Sequence, residues 1–185
     1  MKVYFARHGE YQNPEGVVPY RAPGFPLTEL GISQAQLQAA KLHSFNIRDI
    51  FCSPVERCFQ TSSIIGQELK LAPNPTEALI ELGSPMQGMS IVERDKIGGN
   101  FPYNLQAHID GGGETEKMLF ERVSNFIEKL KLMSKKSSHL VVSHGDPIKL
   151  YLNGALKKEV RYIPMGGLVC LDFTQVGIPK YTEII

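Results

Sequence analysis

The sequence predicts an α/β fold, a three-layer α/β/α sandwich around a mostly parallel β-sheet. Short apolar, β-branched segments alternate along the chain with longer segments whose apolar residues recur at helical spacing. Strands separated by helices pair in parallel, because each helix carries the chain back along one face of the sheet. Groups able to hold an anion follow three of the predicted strands. In parallel sheets such groups meet at the carboxyl ends of the strands, where ligand sites form.

The first half of the chain supplies three predicted strands and two predicted helices. The strands are Lys2–Ala6, Asp49–Cys52 and Glu77–Leu82. After a Gly- and Pro-rich loop, Thr28 is predicted to cap a helix that runs to about His43. Ser53 is predicted to cap a second helix, with Pro54 at its first position.

The second half continues the alternation after a long irregular segment. Residues Ser84–Gly113 are rich in Gly and Pro and are predicted to form a lid insertion over the ligand site. The lid residues named on this basis are Met86, Met89, Arg94, Lys96, Phe101 and Tyr103. Two helices follow, from Thr115 to about Met133 and over Pro147–Leu156. The remaining predicted strands are His139–Ser143, Leu168–Phe173 and Tyr181–Ile185.

Composition excludes several classes of protein. The 185 residues include 20 Lys and Arg and 19 Asp and Glu, giving a formal net charge of +1. So neutral a chain has no overall attraction to nucleic acid or to an anionic membrane surface. No apolar run is long enough to span a bilayer, and the N-terminus meets charge and glycine too early for a secretory signal. Residues 1–185 are therefore predicted to form one domain of a cytoplasmic protein.

The cysteines predict neither a disulfide framework nor a zinc site. There are three, Cys52, Cys58 and Cys170, and none of them lies in a CxxC pair. The five histidines likewise show no HxH or HExxH spacing. The sequence predicts no bound metal and no cofactor.

Arg7-His8-Gly9 follows the first predicted strand and is suited to phosphoryl chemistry. An arginine offers a planar fork of donors that matches phosphate oxygens. A histidine can attack as a nucleophile and form a covalent intermediate. The glycine allows the backbone to pass close to a ligand. A surface histidine beside a surface arginine would look the same, so the tripeptide needs support from elsewhere.

Two further strand ends give that support. Ser143-His144-Gly145 places a second imidazole after an apolar strand, and the first amides of the next helix, beginning near Gly145, add donors. Arg57 falls on the first turn of the helix after Asp49–Cys52, where its side chain can reach back over the strand end. Three anion-holding groups thus converge on one edge of the predicted sheet.

These motifs resemble those of the histidine phosphatase superfamily, the phosphoglycerate mutase-like proteins. The matching segments are Arg7-His8-Gly9, Leu27-Thr28 with Gly31, Ser53-Pro54 with Arg57, Gln60 and Thr61, Gly113-Glu114-Thr115, and Ser143-His144-Gly145. They are spread over most of the chain in the family's order. The resemblance implies the family's sandwich fold and a phosphohistidine mechanism.

The resemblance also implies roles for single residues. His8 would be the nucleophile, and a carboxylate would protonate the leaving oxygen and then activate water. Glu81 matches the family's acid through Leu79-Ile80-Glu81 followed by Gly83, while Glu10, Glu77 and Asp146 are weaker candidates. The residues expected to bind phosphate are Arg7, Arg57, His144, Gly145 and Asn13. Because the Asp146 carboxylate would repel phosphate, its side chain is expected to turn away from the ligand.

Several functions remain to be weighed. The sequence lacks the ligand spacing of a metal-dependent hydrolase and the GxxxxGK[ST] motif of a P-loop kinase. A non-catalytic phosphate-binding protein would be expected to have lost His8, His144 or Glu81. Hydrolysis of a small phosphorylated metabolite is favoured over mutase-type phosphoryl transfer and over dephosphorylation of phosphohistidine proteins. The sequence predicts neither the identity of the metabolite nor the oligomeric state.

Overall fold

The computed structural model describes residues 1–96, 105–133 and 137–185. The strands are β1 (Lys2–Arg7), β2 (Ile47–Cys52), β3 (Pro73–Pro75), β4 (Ser138–Ser143), β5 (Leu168–Asp172) and β6 (Lys180–Glu183). The helices are α1 (Glu29–Leu42), α2 (Glu56–Leu69), α3 (Ile91–Lys96), α4 (Leu105–Asp110), α5 (Glu116–Met133) and α6 (Gly145–Leu156), with a 3₁₀ helix at Glu77–Leu79. No helix in these ranges is both long enough and apolar enough to cross a membrane.

The strands form one mixed sheet in the order β3-β2-β4-β1-β5-β6. The first four of these strands run parallel, while β5 and β6 add an antiparallel edge. One face of the sheet packs against α5 and α6 around residues such as Val3, Phe5 and Ile127. The other face packs against α1 and α2 around Tyr4 and Ile50. Helices therefore cover both faces, and the predicted three-layer α/β sandwich is confirmed.

The carboxyl ends of β1, β4 and β2 lie level with one another. Arg7 of β1 is paired with Ser143 of β4, so His8 and His144 leave the sheet side by side. The amide of His8 still donates to the carbonyl of Ser143 at 3.1 Å, which continues the ladder by one residue. The amide of Ser53 donates in the same way to Val142, at 3.0 Å. Parallel pairing of three adjacent strands thus brings the three motifs to one edge.

The predicted third strand, Glu77–Leu82, is wrong. The strand lies earlier, at Pro73–Pro75, and the chain then turns into the 3₁₀ helix, whose first turn is capped by the Thr76 hydroxyl accepting from Ala78 at 3.3 Å. A proline lacks the N–H needed on a central strand but is tolerated on an edge strand such as this one. Glu81 therefore lies on a loop rather than on a strand.

Two other element predictions need correction. The second helix begins at Glu56 with Val55 as its N-cap, so Ser53 does not cap it and Pro54 is not its first residue. The segment predicted to be irregular, Ser84–Gly113, contains the short helices α3 and α4. The lid candidates Phe101 and Tyr103 lie outside the described residues. By contrast, Thr28 does cap α1 and accepts from the amide of Gly31 at 3.0 Å.

Two glycines bring α1 against the loop behind His8. A Cβ on Gly9 would overlap the backbone of Gly31, and a Cβ on Gly31 would overlap the carbonyl of Glu10. The same approach is held by the amide of Thr28, which donates to the Glu10 carbonyl at 3.0 Å. The close contact at Gly9 is therefore with a helix of this chain.

We predict that Gly31→Ala destabilises the protein by about 1–3 kcal/mol, because the new methyl group collides with backbone that cannot rotate away. In an open helix the same change stabilises by roughly 0.5–1 kcal/mol, so the sign of the effect tests the close approach. The free energy of unfolding should be measured by chemical denaturation. Gln36→Ala, at an exposed position of the same helix, is the control and should stay within about 0.5 kcal/mol of the parent. A more stable Gly31→Ala variant would contradict the prediction.

Candidate active site

A pocket of about 190 Å³ opens at the carboxyl ends of the parallel strands. Its lining residues are Arg7, His8, Tyr11, Val17, Val18, Pro19, Tyr20, Arg57, Glu81, Ile91, Arg94, Asp146 and Tyr162. His144 lies directly behind this wall, with its ring centroid 5.2 Å from that of His8. The structure thus brings together the predicted residues His8, Arg7, Arg57, His144 and Glu81.

His8 follows β1 and is buried, with one ring nitrogen presented to Arg57. Its Nε2 lies 3.3 Å from Arg57 Nε and its Nδ1 lies 2.8 Å from the carbonyl of Gly9. Because a guanidinium has only donors, Nε2 must accept and the ring proton must lie on Nδ1. Burial lowers the pKa of His8, and the charges of Arg57 and Arg7 lower it further. The ring is therefore neutral near pH 7, with a lone pair on Nε2.

Arg57 is the second residue of α2, and its side chain is 2% exposed. Besides His8, its Nη2 donates to the carbonyl of Tyr20 at 2.7 Å and contacts His144 Nδ1 at 3.0 Å. Within the described part of the chain, Nη1 is buried and has no hydrogen-bond partner. Buried donors are almost always paired, so this nitrogen is a candidate donor to a ligand oxygen.

His144 is fully buried between Arg57 and Ser53. Its Nδ1 accepts from Arg57, so the proton of the neutral ring lies on Nε2, which is 2.8 Å from Ser53 Oγ. Burial lowers the pKa of His144, and the neighbouring charges, led by that of Arg57, lower it further. Ser53, predicted as a helix cap, thus orients the second histidine instead, while its hydroxyl also accepts from the amide of Val55 at 3.2 Å.

Arg7 closes the pocket on the side of α6. Its Nη1 donates to the carbonyl of Ile163 at 2.8 Å, and its guanidinium stacks over the ring of Tyr162 at 4.8 Å. Nε is a second buried donor with no partner among the described residues. Gly145 begins α6 and lacks a Cβ where the hydroxyl of Tyr162 lies. Each of these two lining arginines therefore has one buried N–H without a partner among the described residues.

Glu81 lies on the loop after the 3₁₀ helix and is buried. Its Oε1 accepts from the amide of Leu82 at 2.8 Å, and its Oε2 lies 3.7 Å from His144 Nδ1. Burial, followed by the charge of Asp146, raises the pKa of Glu81 to about 8, although Arg57 and Arg7 oppose the rise. The carboxyl group is therefore protonated near pH 7 and able to donate a proton.

The other acidic candidates occupy different positions. Glu10 accepts from the hydroxyl of Thr28 at 2.9 Å, and Glu77 is exposed on the 3₁₀ helix. Neither lines the pocket. Asp146 is among the lining residues, and its Oδ1 accepts from the Tyr162 hydroxyl at 3.2 Å; the expectation that its side chain turns away from a ligand stays a prediction. Asp146 is partly exposed to solvent.

Asn13 and most of the described lid candidates do not line the pocket. Both polar atoms of the Asn13 amide are bonded to the backbone of Val17, at 2.8 and 3.1 Å, and Asn13 does not line the pocket. Of the lid candidates, Arg94 lines the pocket, Met86 is buried and Lys96 is exposed. The role of Asn13 as a phosphate ligand stays a prediction.

Sequence reasoning missed several residues that shape the site. Tyr162, the carbonyl of Tyr20 and the ring of Tyr11 all line the pocket. Tyr20 has a φ of 38°, an unusual value for a residue with a side chain. No local pattern singles these residues out, because each acts through contacts distant in sequence. Among the described residues, no group of three or more His, Cys, Asp or Glu is arranged to hold a metal ion.

Comparison with known proteins agrees with this geometry. The family model of the histidine phosphatase superfamily (branch 1) matches residues 3–178. A probable phosphatase of Schizosaccharomyces pombe is 32% identical over 159 residues, covering 81% of this chain and 71% of the relative. A 2,3-bisphosphoglycerate-dependent phosphoglycerate mutase of Thermoplasma acidophilum is 27% identical over 146 residues, covering 77% of this chain and 70% of the relative.

A solved structure shares the fold. YhfR of Bacillus stearothermophilus superposes with a TM-score of 0.82 at 18% sequence identity, covering 98% of this chain and 95% of that protein. At this identity the likeness concerns the fold alone. It matches the mixed sheet and the two helical layers described above.

We predict that Glu81→Gln stabilises the folded protein in a pH-dependent way. The folded-state pKa of about 8 lies above the ordinary value of 4.5, so the native protein keeps a proton that the unfolded chain releases. The contribution of Glu81 to the free energy of unfolding is therefore fully present below pH 4.5 and is lost as the pH rises to about 8. Glutamine cannot ionise, so the variant should gain on the parent across that window by a few kcal/mol, since each unit of pKa difference corresponds to about 1.36 kcal/mol.

The measurement is chemical denaturation of both proteins at several pH values. Glu121→Gln, at an exposed position of α5, is the control and should differ from the parent by a constant amount. A difference between Glu81→Gln and the parent that does not change with pH would show that Glu81 is not a buried acid.

Proposed function

The chain belongs to the histidine phosphatase superfamily, and we propose that it hydrolyses phosphomonoesters of small metabolites through a phosphohistidine on His8. Membership of this superfamily and the names of its relatives indicate an enzyme of the phosphatase and mutase type. The observation that carries the finer proposal is the neutral, buried His8 beside two arginines with unpaired N–H groups. The small pocket supports a small leaving group.

Phosphate binding would use charges already in place. Arg57 Nη1 and Arg7 Nε each donate to a phosphoryl oxygen, and a charge-assisted bond of this kind is roughly twice as strong as a neutral one. When the substrate binds as its monoanion, its proton passes to His144 Nδ1, which gives up the bond it accepts from Arg57 and donates to a third phosphoryl oxygen. The arginines supply the cationic charge that stabilises the transferring group, and we therefore propose a reaction that needs no metal ion.

The first step transfers the phosphoryl group to the enzyme. The lone pair of His8 Nε2 attacks phosphorus and forms an N–P bond while the ester P–O bond breaks. The leaving oxygen takes the proton of the Glu81 carboxyl group and departs as an alcohol. Glu81 is left as a carboxylate beside a phosphohistidine.

The second step returns the enzyme to its starting state. The Glu81 carboxylate accepts a proton from water as the water oxygen attacks phosphorus. The N–P bond breaks, inorganic phosphate is released, and His8 recovers its lone pair. The raised pKa of Glu81 suits both steps, because such a group can give and retake a proton near pH 7.

Mutase-type transfer is the second candidate, since one relative is a phosphoglycerate mutase. A phosphoglycerate brings a carboxylate as well as phosphate, and both need cations. Among the described lining residues, the cation beyond Arg7 and Arg57 is Arg94, and it is already paired with Asp95 at 2.6 Å. Asp146 on the same wall repels an anionic leaving group. These charges favour hydrolysis, and assays of phosphoglycerate isomerisation and phosphate release in parallel would separate the two.

We predict that His8→Ala abolishes turnover and the phosphoenzyme, because it removes the attacking nitrogen. The parent enzyme, treated with a labelled aryl phosphate in the presence of a chelator and then quenched, should carry label that is lost in acid and kept in base, as a phosphoramidate is. His43→Ala changes an exposed histidine at the end of α1 and should behave like the parent. Label on a serine or on His144, or activity that needs a divalent ion, would overturn the proposal.

We predict that Glu81→Gln slows hydrolysis of an alkyl phosphate by about 10²–10⁴-fold, the usual value of general acid–base catalysis. A nitrophenolate leaves without a proton, so the first step with nitrophenyl phosphate should be affected far less. Hydrolysis of the phosphoenzyme then lacks its base, and phosphoenzyme should accumulate at steady state. Rapid-quench measurement with both substrates checks this. Equal losses with no trapped phosphoenzyme would mean that Glu81 is not the acid.

A further inference from the structure

Three charged residues outside the pocket form a partly buried network against the loop that carries Glu81. Glu114 lies at the centre: its Oε2 accepts from Arg21 Nη2 at 2.8 Å and from Arg122 Nη2 at 2.7 Å, and its Oε1 accepts from Arg122 Nε at 2.8 Å. Burial alone would raise the pKa of Glu114, but its bond to Arg122 and the charges of both arginines hold the pKa below the ordinary value. We call Arg21, Glu114 and Arg122 the Glu114 cluster.

The Glu114 cluster supplies the hydrogen bonds that the Glu81 loop cannot make for itself. Arg122 Nη1 donates to the carbonyls of Ala78 and Ile80, both at 2.9 Å. Arg21 Nε donates to the carbonyl of Glu81 at 2.7 Å. These residues lie past the end of β3, so no neighbouring strand satisfies them, and an unpaired buried carbonyl would be costly. The loop's position therefore depends on side chains from two other segments.

The same cluster is linked to the phosphate end of the pocket. Arg21 directly follows Tyr20, whose carbonyl accepts from Arg57 at 2.7 Å. One dipeptide thus contacts the arginine beside His8 with its first residue and the backbone of Glu81 with its second. The distance between the proton donor and the phosphoryl site is fixed through this connection.

We propose that the Glu114 cluster positions Glu81 for proton transfer, with Glu114 holding both arginines on the backbone of the acid's loop. These are positioning residues, since none of their hydrogen bonds within the described part of the chain reaches the reacting atoms. The inference rests on the proposed role of Glu81. A displacement of about 1 Å at a catalytic group can cost on the order of 10²-fold in rate, so loosening this loop should weaken proton transfer while leaving phosphate binding intact.

The test compares Glu114→Gln and Arg122→Lys with the parent. A glutamine at position 114 is neutral, so it cannot form charge-assisted bonds with the three guanidinium N–H groups. A lysine at position 122 has a single ammonium group, so it cannot reach the two carbonyls and the carboxylate together. For an alkyl phosphate, kcat should fall by about 10- to 100-fold while KM stays within about twofold. Single-turnover phosphorylation of His8 by nitrophenyl phosphate should also stay within about twofold. Glu121→Gln removes a carboxylate from an exposed pair with Lys117 on the same helix and should change none of these values.

A double-mutant cycle separates positioning from general stability. In the Glu81→Gln background the acid is absent, so adding Glu114→Gln should change kcat by less than about twofold. A full further loss, or equal losses with both substrates, would overturn the inference while leaving the role of Glu81 standing. Parent-like turnover of Glu81→Gln alone would overturn the role of Glu81 and this inference with it. If Glu114→Gln does not fold, Arg21→Lys, at the more exposed arginine of the cluster, carries the same test.

Discussion

The buried guanidinium of Arg57 determines the chemistry of the site. A cation removed from water costs several kcal/mol unless it is well paired, and here no carboxylate approaches it as a hydrogen-bond partner among the described residues. Its partners are a backbone carbonyl, from Tyr20, and the lone pairs of two imidazoles, from His8 and His144. Those bonds require both rings to be neutral and fix which nitrogen of each carries the proton. The same arrangement leaves one N–H of Arg57 for a ligand.

This electrostatic arrangement reverses the ordinary order of proton affinities. In water a glutamic acid loses its proton well before a histidine does. In this pocket burial and Arg57 lower the pKa of His8, while burial and Asp146 raise the pKa of Glu81 to about 8. The main species near pH 7 therefore has a free lone pair on His8, the proposed nucleophile, and a proton on Glu81, the proposed acid. Those are the protonation states that the first step of the proposed reaction requires.

The half of the site that follows from strand ends could be predicted from the sequence. Apolar strands ending in Arg7-His8 and in Ser143-His144 mark parallel neighbours, and parallel pairing leaves little freedom in where those side chains meet. The position of Glu81 was anticipated only through family resemblance, because the predicted strand around it was wrong. The role of Glu114 was not predicted, since its partners lie 93 and 8 residues away and no periodic pattern joins them.

The two halves of the pocket are consequently built on different principles. His8 and His144 lie directly after strands, and Arg57 lies in the first turn of a helix. Main-chain hydrogen bonds of the sheet therefore hold in place the side of the pocket proposed to bind the phosphoryl group. Glu81 lies on a loop held by the side chains of other segments. A side-chain network can be altered without disturbing a sheet, whereas a strand end cannot be moved alone. In the proposed reaction, proton delivery and leaving-group contacts can therefore vary while phosphate binding stays constant, which is the combination expected of a fold whose relatives include both a phosphatase and a mutase.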